Sequence, residues 1–169
     1  MTRKEYNKTV DMYSGRLFGY VLKCLQNSED ASDIVQDVFE RLWNHRKNVE
    51  VEKAKTWLYT TAHNALINFA KKKARMDLYG DNLPERSQET ESRFEMKEIV
   101  DMVIDTLPPL QKSILLLRDL EGYHYDEIGE MLSISDSQVK VYLFRARRKI
   151  KQQLKEFTVL YDVSEQGKY

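Results

Sequence analysis

Hydrophobic residues recur at three- and four-residue steps along most of the chain, a spacing typical of amphipathic helices. The first helix is predicted over about residues 2–26, the second over 29–46 and the third over 53–75. Ser28 is the expected N-cap of the second helix, since its hydroxyl can accept hydrogen bonds from the free amides of the first turn. The second helix has the most regular apolar face, formed by Ala31, Ile34, Val35, Val38, Phe39, Leu42 and Trp43.

The periodicity stops between residues 76 and 92, a stretch that contains Gly80 and Pro84 and is rich in Asp, Glu, Ser and Gln. Such a composition is typical of a linker. Four short helices are predicted beyond it, the first of them ended by the Pro108-Pro109 pair. We therefore expect an all-α protein with two small helical domains, residues 1–75 and 93–156, joined by a flexible acidic linker (76–92) and followed by a tail (157–169).

Two of the later helices have the spacing of a helix-turn-helix. Residues 125–132 form a short apolar-faced segment, and Ser135 to Gln138 predict a capping box that opens the last helix. A basic outer face on that helix suits the major groove of DNA, although a helical hairpin that only packs internally has the same pattern. Arg145 is the candidate for guanine, and Lys140, Arg147, Arg148 and Lys149 are candidates for phosphates. The residues expected on the outer face are Ser137, Lys140, Val141, Phe144, Arg145 and Arg148.

One face of the third helix combines an aromatic ring, small hydrogen-bonding groups and cations. An aromatic ring can stack on an unpaired base, and an asparagine amide can both donate to and accept from a base edge. A tryptophan at helical spacing can equally belong to the core, so the polar residues on the same face support the DNA interpretation. The face consists of Trp57, Thr61, Asn64, Asn68, Lys71, Lys72 and Arg75.

The charges are segregated, although the chain has 27 basic and 27 acidic residues. Residues 51–75 have a net charge of +5, residues 136–155 of +6, and the intervening residues 76–106 of −6. Each basic stretch presents positive charge to a phosphate backbone, because salt screens the electrostatic field of the more distant acidic stretch beyond roughly 10 Å. The outer face of the second helix is mostly acidic and suits either solvent or a protein partner; it consists of Asp33, Gln36, Asp37, Glu40 and Arg41.

Several classes of protein are disfavoured. No run of apolar residues is long enough for a membrane span, and the first residues lack the apolar core of a signal peptide, so we expect a cytoplasmic protein. Cys24 is the only cysteine, which excludes an internal disulfide and paired-thiolate zinc sites. No cofactor or metal is expected. The three histidines are isolated, and neither an HExxH motif nor a glycine-rich phosphate loop is present, so an enzyme is disfavoured.

Four blocks resemble, in the same order, the extracytoplasmic-function (ECF) sigma factors of bacterial RNA polymerase, of the sigma-70 family. They are residues 30–43 (DASDIVQDVFERLW), 56–64 (TWLYTTAHN), 107–111 (LPPLQ) and 139–147 (VKVYLFRAR). The resemblance implies a sigma region 2 domain at residues 1–75 and a sigma region 4 domain at 93–156. It also implies that the linker follows a path toward the RNA exit channel of the polymerase.

The resemblance implies partners for each surface. The acidic face of the second helix is expected on the clamp helices of the polymerase beta-prime subunit, and region 4 on the beta flap. The loop at about residues 48–56 and the third-helix face are expected to capture bases of the melted −10 element. Region 4 is expected to bind the −35 duplex through Arg118, Tyr125, Arg147 and the outer face of the last helix. An anti-sigma factor is a further expected partner.

One alternative stays open at this point, a helix-turn-helix regulator that binds operator duplex without polymerase. Such a protein is expected to bind DNA alone, with an affinity that falls steeply with salt.

Overall fold

A computed structural model describes residues 1–79 and 96–166, and the side chains of residues 1–78 and 96–159. These residues form no strand, so the all-α prediction is confirmed over the described ranges. A 3-10 turn (Val51–Lys53) precedes the third helix, and a π-helical turn (Leu116–Leu120) follows the fifth. The helices are α1 (Arg3–Leu25), α2 (Ser28–His45), α3 (Ala54–Tyr79), α4 (Met96–Asp105), α5 (Pro109–Leu115), α6 (Tyr125–Leu132) and α7 (Asp136–Gln166).

The first domain consists of α1, α2 and α3, whose apolar faces pack together. The predicted stripe of α2 is buried at Ala31, Val35, Val38, Phe39 and Leu42. Burial of these side chains supplies most of the driving force, about 1.5 to 3 kcal/mol for each large one.

The N-cap of α2 differs from the prediction by one residue. Asn27 has extended backbone angles (φ −134°, ψ 119°), and its side-chain oxygen accepts a hydrogen bond from the Asp30 amide at 3.0 Å. Ser28 is already the first helical residue, so the prediction of Ser28 as the cap was wrong. Asparagine and serine are about equally good caps, and the sequence alone does not separate two such neighbours.

Two helices extend further than predicted. Helix α3 continues to Tyr79 and α7 to Gln166, past the expected ends at residues 75 and 156. Residues 76–79 and 157–166 contain neither glycine nor proline, whereas Gly80 and Gly167 follow directly. Within the described residues, nothing in the sequence of these extensions disfavours a helix. Residues 80–95, with most of the predicted linker, and residues 167–169 of the predicted tail lie outside the described residues.

The second domain, α4 to α7, contains the predicted helix-turn-helix. Ser133 ends α6 in the left-handed region (φ 56°), and the Ile134 amide donates to the Gly129 carbonyl at 3.0 Å. The Ser135 hydroxyl accepts from the Gln138 amide at 3.2 Å, and the Gln138 side chain accepts from the Ser135 amide at 2.9 Å. This reciprocal pair is the predicted capping box, and it fixes the first turn of α7.

The two domains pack against each other, which the sequence did not predict. We call this packing the interdomain contact. Helices α1 and α3 of the first domain pack against α5 and α6 of the second, and side chains of α4 and of Glu121, directly after the π-helical turn, complete it. Tyr20, Tyr59 and Tyr123 lie at its centre, with 5.5 Å between the ring centroids of Tyr20 and Tyr59 and 5.0 Å between those of Tyr59 and Tyr123. All three are buried, so the cores of the two domains are continuous.

No helix of the described ranges is both long enough and apolar enough to cross a membrane.

Candidate nucleic-acid interface

A cleft of about 520 Å³ lies between α2 and α3, on the side of α3 that faces away from the second domain. Trp57 forms one end of the cleft and is half-buried, so it contacts the core with one part of its ring and the cleft with another. Asn64 and Asn68 are exposed along the same face. The structure therefore brings an aromatic surface and two free amides together.

Thr61 and the cations complete the predicted face of α3. The Thr61 hydroxyl donates to the Trp57 carbonyl at 2.7 Å, which fixes the side chain against its own helix. Lys71, Lys72 and Arg75 are exposed on the last turns of α3, and Lys72 lines the cleft. They form no ion pair with any carboxylate in the part of the chain that the structure describes.

His45 lines the same cleft, although the sequence analysis treated it as an isolated histidine. Its ring lies 6.3 Å from the Trp57 ring, at an angle of 37° between the planes. Its Nδ1 lies 2.8 Å from the Arg41 carbonyl oxygen, which can only accept, so Nδ1 is the donor of this hydrogen bond. The sequence does contain a signal for this position: His45 follows Arg41 by four residues, which places the two on the same face of α2.

Four of the five residues predicted on the acidic face of α2 are exposed, as a docking surface requires: Asp33, Gln36, Glu40 and Arg41. Asp37 and Arg41 form an ion pair at 2.8 Å and also line the cleft. The acidic face and the α3 face are therefore adjacent surfaces that share a border at the cleft.

The N-terminal half of α7 presents its predicted outer face to solvent. Val141 and Phe144 are 47% and 65% exposed, although both are large apolar residues. Exposed apolar residues within a basic helix face are typical of a surface that contacts a partner, such as the methyl groups of thymine. The exposed members of this face are Ser137, Lys140, Val141, Phe144, Arg145 and Arg148.

Arg118 and Tyr125 contact each other beside that face. The Arg118 guanidinium lies 4.9 Å from the Tyr125 ring centroid and donates to the Tyr123 carbonyl at 2.8 Å. The Lys140 ammonium lies 5.7 Å from the same ring, on the neighbouring helix. Arg118 therefore orients Tyr125 and the start of α6 toward the basic face of α7.

Two of the predicted phosphate contacts are paired within the domain. Arg147 donates to Asp119 at 2.5 Å, and Lys149 donates to the Thr106 carbonyl at 2.9 Å. Arg147 follows Leu143 by four residues and precedes Ile150 by three, so it lies at the edge of the inward face. Both side chains are therefore engaged within the second domain.

The interdomain contact lies on the other side of α3 from the cleft. Lys55, in the first turn of α3, donates to Glu127 at 2.8 Å, and its ammonium lies 3.9 Å from the Tyr123 ring centroid. The hydrogen bond from Lys55 lowers the pKa of Glu127. His63 is buried with its Nδ1 3.2 Å from the Ser113 hydroxyl, and burial lowers its pKa. Among the described residues, no three His, Cys, Asp or Glu side chains lie close enough together to hold a metal ion, and this includes the surroundings of His63.

Comparisons with known proteins agree with this arrangement. A family model for sigma-70 region 2 matches residues 9–76, and one for sigma-70 region 4 matches residues 97–150. The ECF RNA polymerase sigma factor SigM of Bacillus subtilis is 28% identical over 145 residues, which cover 83% of this chain and 89% of SigM. The ferric citrate uptake sigma factor FecI of Escherichia coli is 29% identical over 141 residues, covering 79% of this chain and 82% of FecI.

Solved structures share the fold. The sigma factor RpoE of Bartonella quintana, in complex with the anti-sigma factor NepR, superposes with a TM-score of 0.77 at 18% identity, over 90% of this chain and 98% of RpoE. CnrH, in complex with the cytosolic domain of CnrY, gives 0.70 at 17% identity, over 92% and 90% of the two chains. Both domains match sigma models, in the family's order, and the relatives cover most of the chain. The chain therefore belongs to the ECF sigma factors of the sigma-70 family.

Proposed function

We propose that this protein binds core RNA polymerase, directs it to specific promoters and promotes transcription initiation. One observation carries the proposal: a single chain presents a helix-turn-helix surface suited to duplex DNA and, on a second domain, a cleft suited to unpaired bases. A regulator that binds only operator duplex does not need a cleft for unpaired bases. The family membership of both domains also favours the sigma function.

The second domain binds the −35 element as duplex. The outer face of α7 enters the major groove, where the Arg145 guanidinium can donate two hydrogen bonds to O6 and N7 of a guanine. Lys140 and Arg148 lie at positions suited to phosphates and fix the orientation of the helix, while Val141 and Phe144 supply apolar contacts to the bases.

The first domain binds the −10 element after it has melted. A base that leaves the duplex stacks on Trp57 and presents its edge to Asn64 and Asn68, while Lys71 and Lys72 neutralise the backbone. Stacking on an aromatic ring contributes about 1 to 3 kcal/mol per base, which is comparable to the few kcal/mol that unstacking costs. The cleft therefore makes the open promoter the lower state in free energy, and no covalent chemistry by the protein is needed.

The polymerase contacts follow from the remaining surfaces. The exposed acidic face of α2 (Asp33, Gln36 and Glu40, with the Asp37–Arg41 pair at its edge) docks on the beta-prime clamp helices, and the second domain contacts the beta flap. An anti-sigma factor is a further proposed partner, because the sigma factor RpoE was solved with one. The protein acts where the polymerase transcribes, in the cytoplasm.

Transcription by core polymerase reconstituted with the purified chain tests the proposal on a mapped promoter. Permanganate reactivity of unpaired thymines measures melting, and a gel shift measures initial duplex binding. We expect Asn64→Ala to reduce melting more than initial binding, and Arg145→Ala to reduce initial binding first. Asn7→Ala and Arg3→Ala, at exposed positions of α1, are the matched controls.

Equal impairment of both steps by both variants contradicts the assignment of the two surfaces. A chain that shifts promoter duplex equally well with and without core polymerase contradicts the sigma function itself and supports the regulator.

A further inference from the structure

His45 forms a wall of the cleft that the predicted face of α3 does not include. It is the last residue of α2, whereas Trp57 lies in the first turn of α3, and both side chains line the cleft. The centroids of the two rings are 6.3 Å apart, with an angle of 37° between their planes. His45 is exposed, so a ligand that enters the cleft beside Trp57 can reach its ring.

The separation of the two rings decides how a base can contact His45. Stacked bases are about 3.4 Å apart, so a base inserted between two parallel rings needs about 7 Å between the ring centroids. The rings of His45 and Trp57 are closer than this and are inclined to each other, so they do not hold a base between them unless they move apart. A base that stacks on Trp57 within the cleft therefore meets His45 with its edge and not with its face.

A hydrogen bond within α2 fixes both the ring of His45 and its proton. Nδ1 donates to the carbonyl of Arg41, one helical turn earlier, at 2.8 Å. A neutral imidazole carries only one ring proton, so its Nε2 has none and can only accept. The exocyclic amino groups of adenine, cytosine and guanine are donors that suit such an acceptor, whereas thymine has no amino group.

The amides of the cleft discriminate between base edges less strongly than this fixed ring. Asn64 and Asn68 are exposed, and an amide that rotates by half a turn offers either a donor or an acceptor to the same point. The ring of His45 cannot rotate in this way without losing its hydrogen bond to the Arg41 carbonyl. His45 therefore adds to the cleft a group that favours one kind of base edge over another.

We propose that His45 is a specificity-determining residue of the cleft: its Nε2 accepts a hydrogen bond from the amino group of the −10 base that stacks on Trp57, and so disfavours thymine at that position. A thymine there leaves the acceptor without its partner, and a missing hydrogen bond of this kind is what lets a site reject one ligand and bind another. This proposal rests on the promoter function proposed above and adds to it a base contact from α2, the helix whose outer face is assigned to the polymerase.

The test uses the full chain bound to core polymerase and a forked promoter DNA whose −10 strand is unpaired. Fluorescence anisotropy gives the affinity at pH 8, where histidine side chains are ordinarily neutral. Each base of the −10 strand is first replaced in turn by an abasic site, and the position that stacks on Trp57 is the one whose loss has no further effect in a Trp57→Leu variant.

That position is then filled with bases that differ by one amino group. Adenine is compared with purine, and cytosine with 2-pyrimidinone, because each analogue lacks only the amino group of its parent base. Thymine at the same position is the disfavoured base.

Three variants separate base recognition from packing. His45→Phe keeps an aromatic ring beside Trp57 without an acceptor, and His45→Gln supplies an amide oxygen in place of Nε2. Asn44→Ala is the matched control, at an exposed neighbouring position that does not line the cleft. We expect removal of the amino group to weaken binding about three- to tenfold in the wild type and the control, as the loss of one hydrogen bond predicts. We expect little or no such loss in His45→Phe and a partial return of it in His45→Gln.

Equal discrimination by the wild type and His45→Phe overturns the proposal, because another group then contacts the amino group. So does a wild type that binds the analogues or thymine as tightly as the amino-bearing bases, and so does a −10 strand in which no position depends on Trp57. A loss of affinity for every base alike in both His45 variants indicates a purely structural role and overturns it as well.

The same measurements distinguish this proposal from the function on which it rests. If the forked DNA binds no more tightly to the wild-type holoenzyme than to core polymerase alone, the promoter function itself is refuted. If it binds more tightly but His45 makes no difference between bases, the promoter function stands and only the role of His45 is refuted.

Discussion

Gly129 occupies the closest approach between the two helices of the helix-turn-helix. A Cβ atom at this position would lie 2.7 Å from the Ile134 carbonyl oxygen and 3.2 Å from the Asp136 carboxylate, whereas ordinary contacts are 3.4–4 Å. The nearest neighbour is backbone, held there by the hydrogen bond from the Ile134 amide to Gly129 itself. Gly129→Ala therefore has to push the turn and the start of α7 away from α6.

The magnitude follows from a comparison with Gly15, a helical glycine of α1 at which an added methyl group would have no neighbouring atom within 4 Å. Each Gly→Ala substitution gains about 1 kcal/mol of helix propensity. At Gly129 the overpacking costs about 1 to 3 kcal/mol in addition. The propensity gain cancels in the comparison, so Gly129→Ala is expected to be less stable than Gly15→Ala by about 1 to 3 kcal/mol.

Urea unfolding followed by circular dichroism measures this difference, and anisotropy with −35 duplex and core polymerase measures its effect on DNA binding. We expect Gly15→Ala to bind the duplex as the wild type does, and Gly129→Ala to bind more weakly because α7 is displaced. Equal stability of the two variants would refute the close approach at Gly129 and with it the packing of the helix-turn-helix described here.

Asn27→Ala is expected to destabilise the protein by about 1 kcal/mol, and Ser28→Ala by much less, because only Asn27 caps α2; thermal unfolding of both variants distinguishes the two. Acid is expected to destabilise the wild type more than a His63→Gln variant. Burial lowers the folded-state pKa of His63, so the unfolded chain binds more protons, and stability is lost as the pH falls below about 6.5, by at most about 1.4 kcal/mol per pH unit; urea midpoints between pH 7.5 and 5.5 test this. In the holoenzyme, Arg145→Ala is expected to relax preference at one base pair of the −35 element, at a cost of about 1 to 3 kcal/mol. Lys140→Ala is expected to weaken all sequences alike and to reduce the salt slope by about 1; affinities for a set of −35 variants at several salt concentrations separate these outcomes.

The helices and the helix-turn-helix could be predicted because their signals are local. The apolar stripe of α2, the capping box at Ser135 and Gln138 and the small residue Gly129 each specify structure within a few residues of themselves. Errors occurred where the local signals were equivalent or weak. Asn27 and Ser28 are both good caps, and the change in composition after Arg75 indicated a linker, although residues 76–79 contain no residue that interrupts a helix.

In the candidate site, too, the features that depend on one helix were predictable and those that depend on packing between helices were not. The face of α3 was predictable because its members are spaced along one helix, whereas the cleft also needs α2, and His45 became part of it only through packing. The pairing of Arg147 with Asp119 joins residues 28 positions apart. The ion pairs of the interdomain contact join residues 72, 78 and 105 positions apart, for which a single sequence contains no periodic signal.

These long-range pairs also explain how a chain with no net charge can bind DNA through two basic surfaces. Arg16, Lys23 and Lys55 are neutralised by carboxylates of the second domain, whereas Arg145 and Arg148 form no ion pair with any described carboxylate. The interdomain contact thus neutralises cations of the first domain and leaves the outer face of α7 basic.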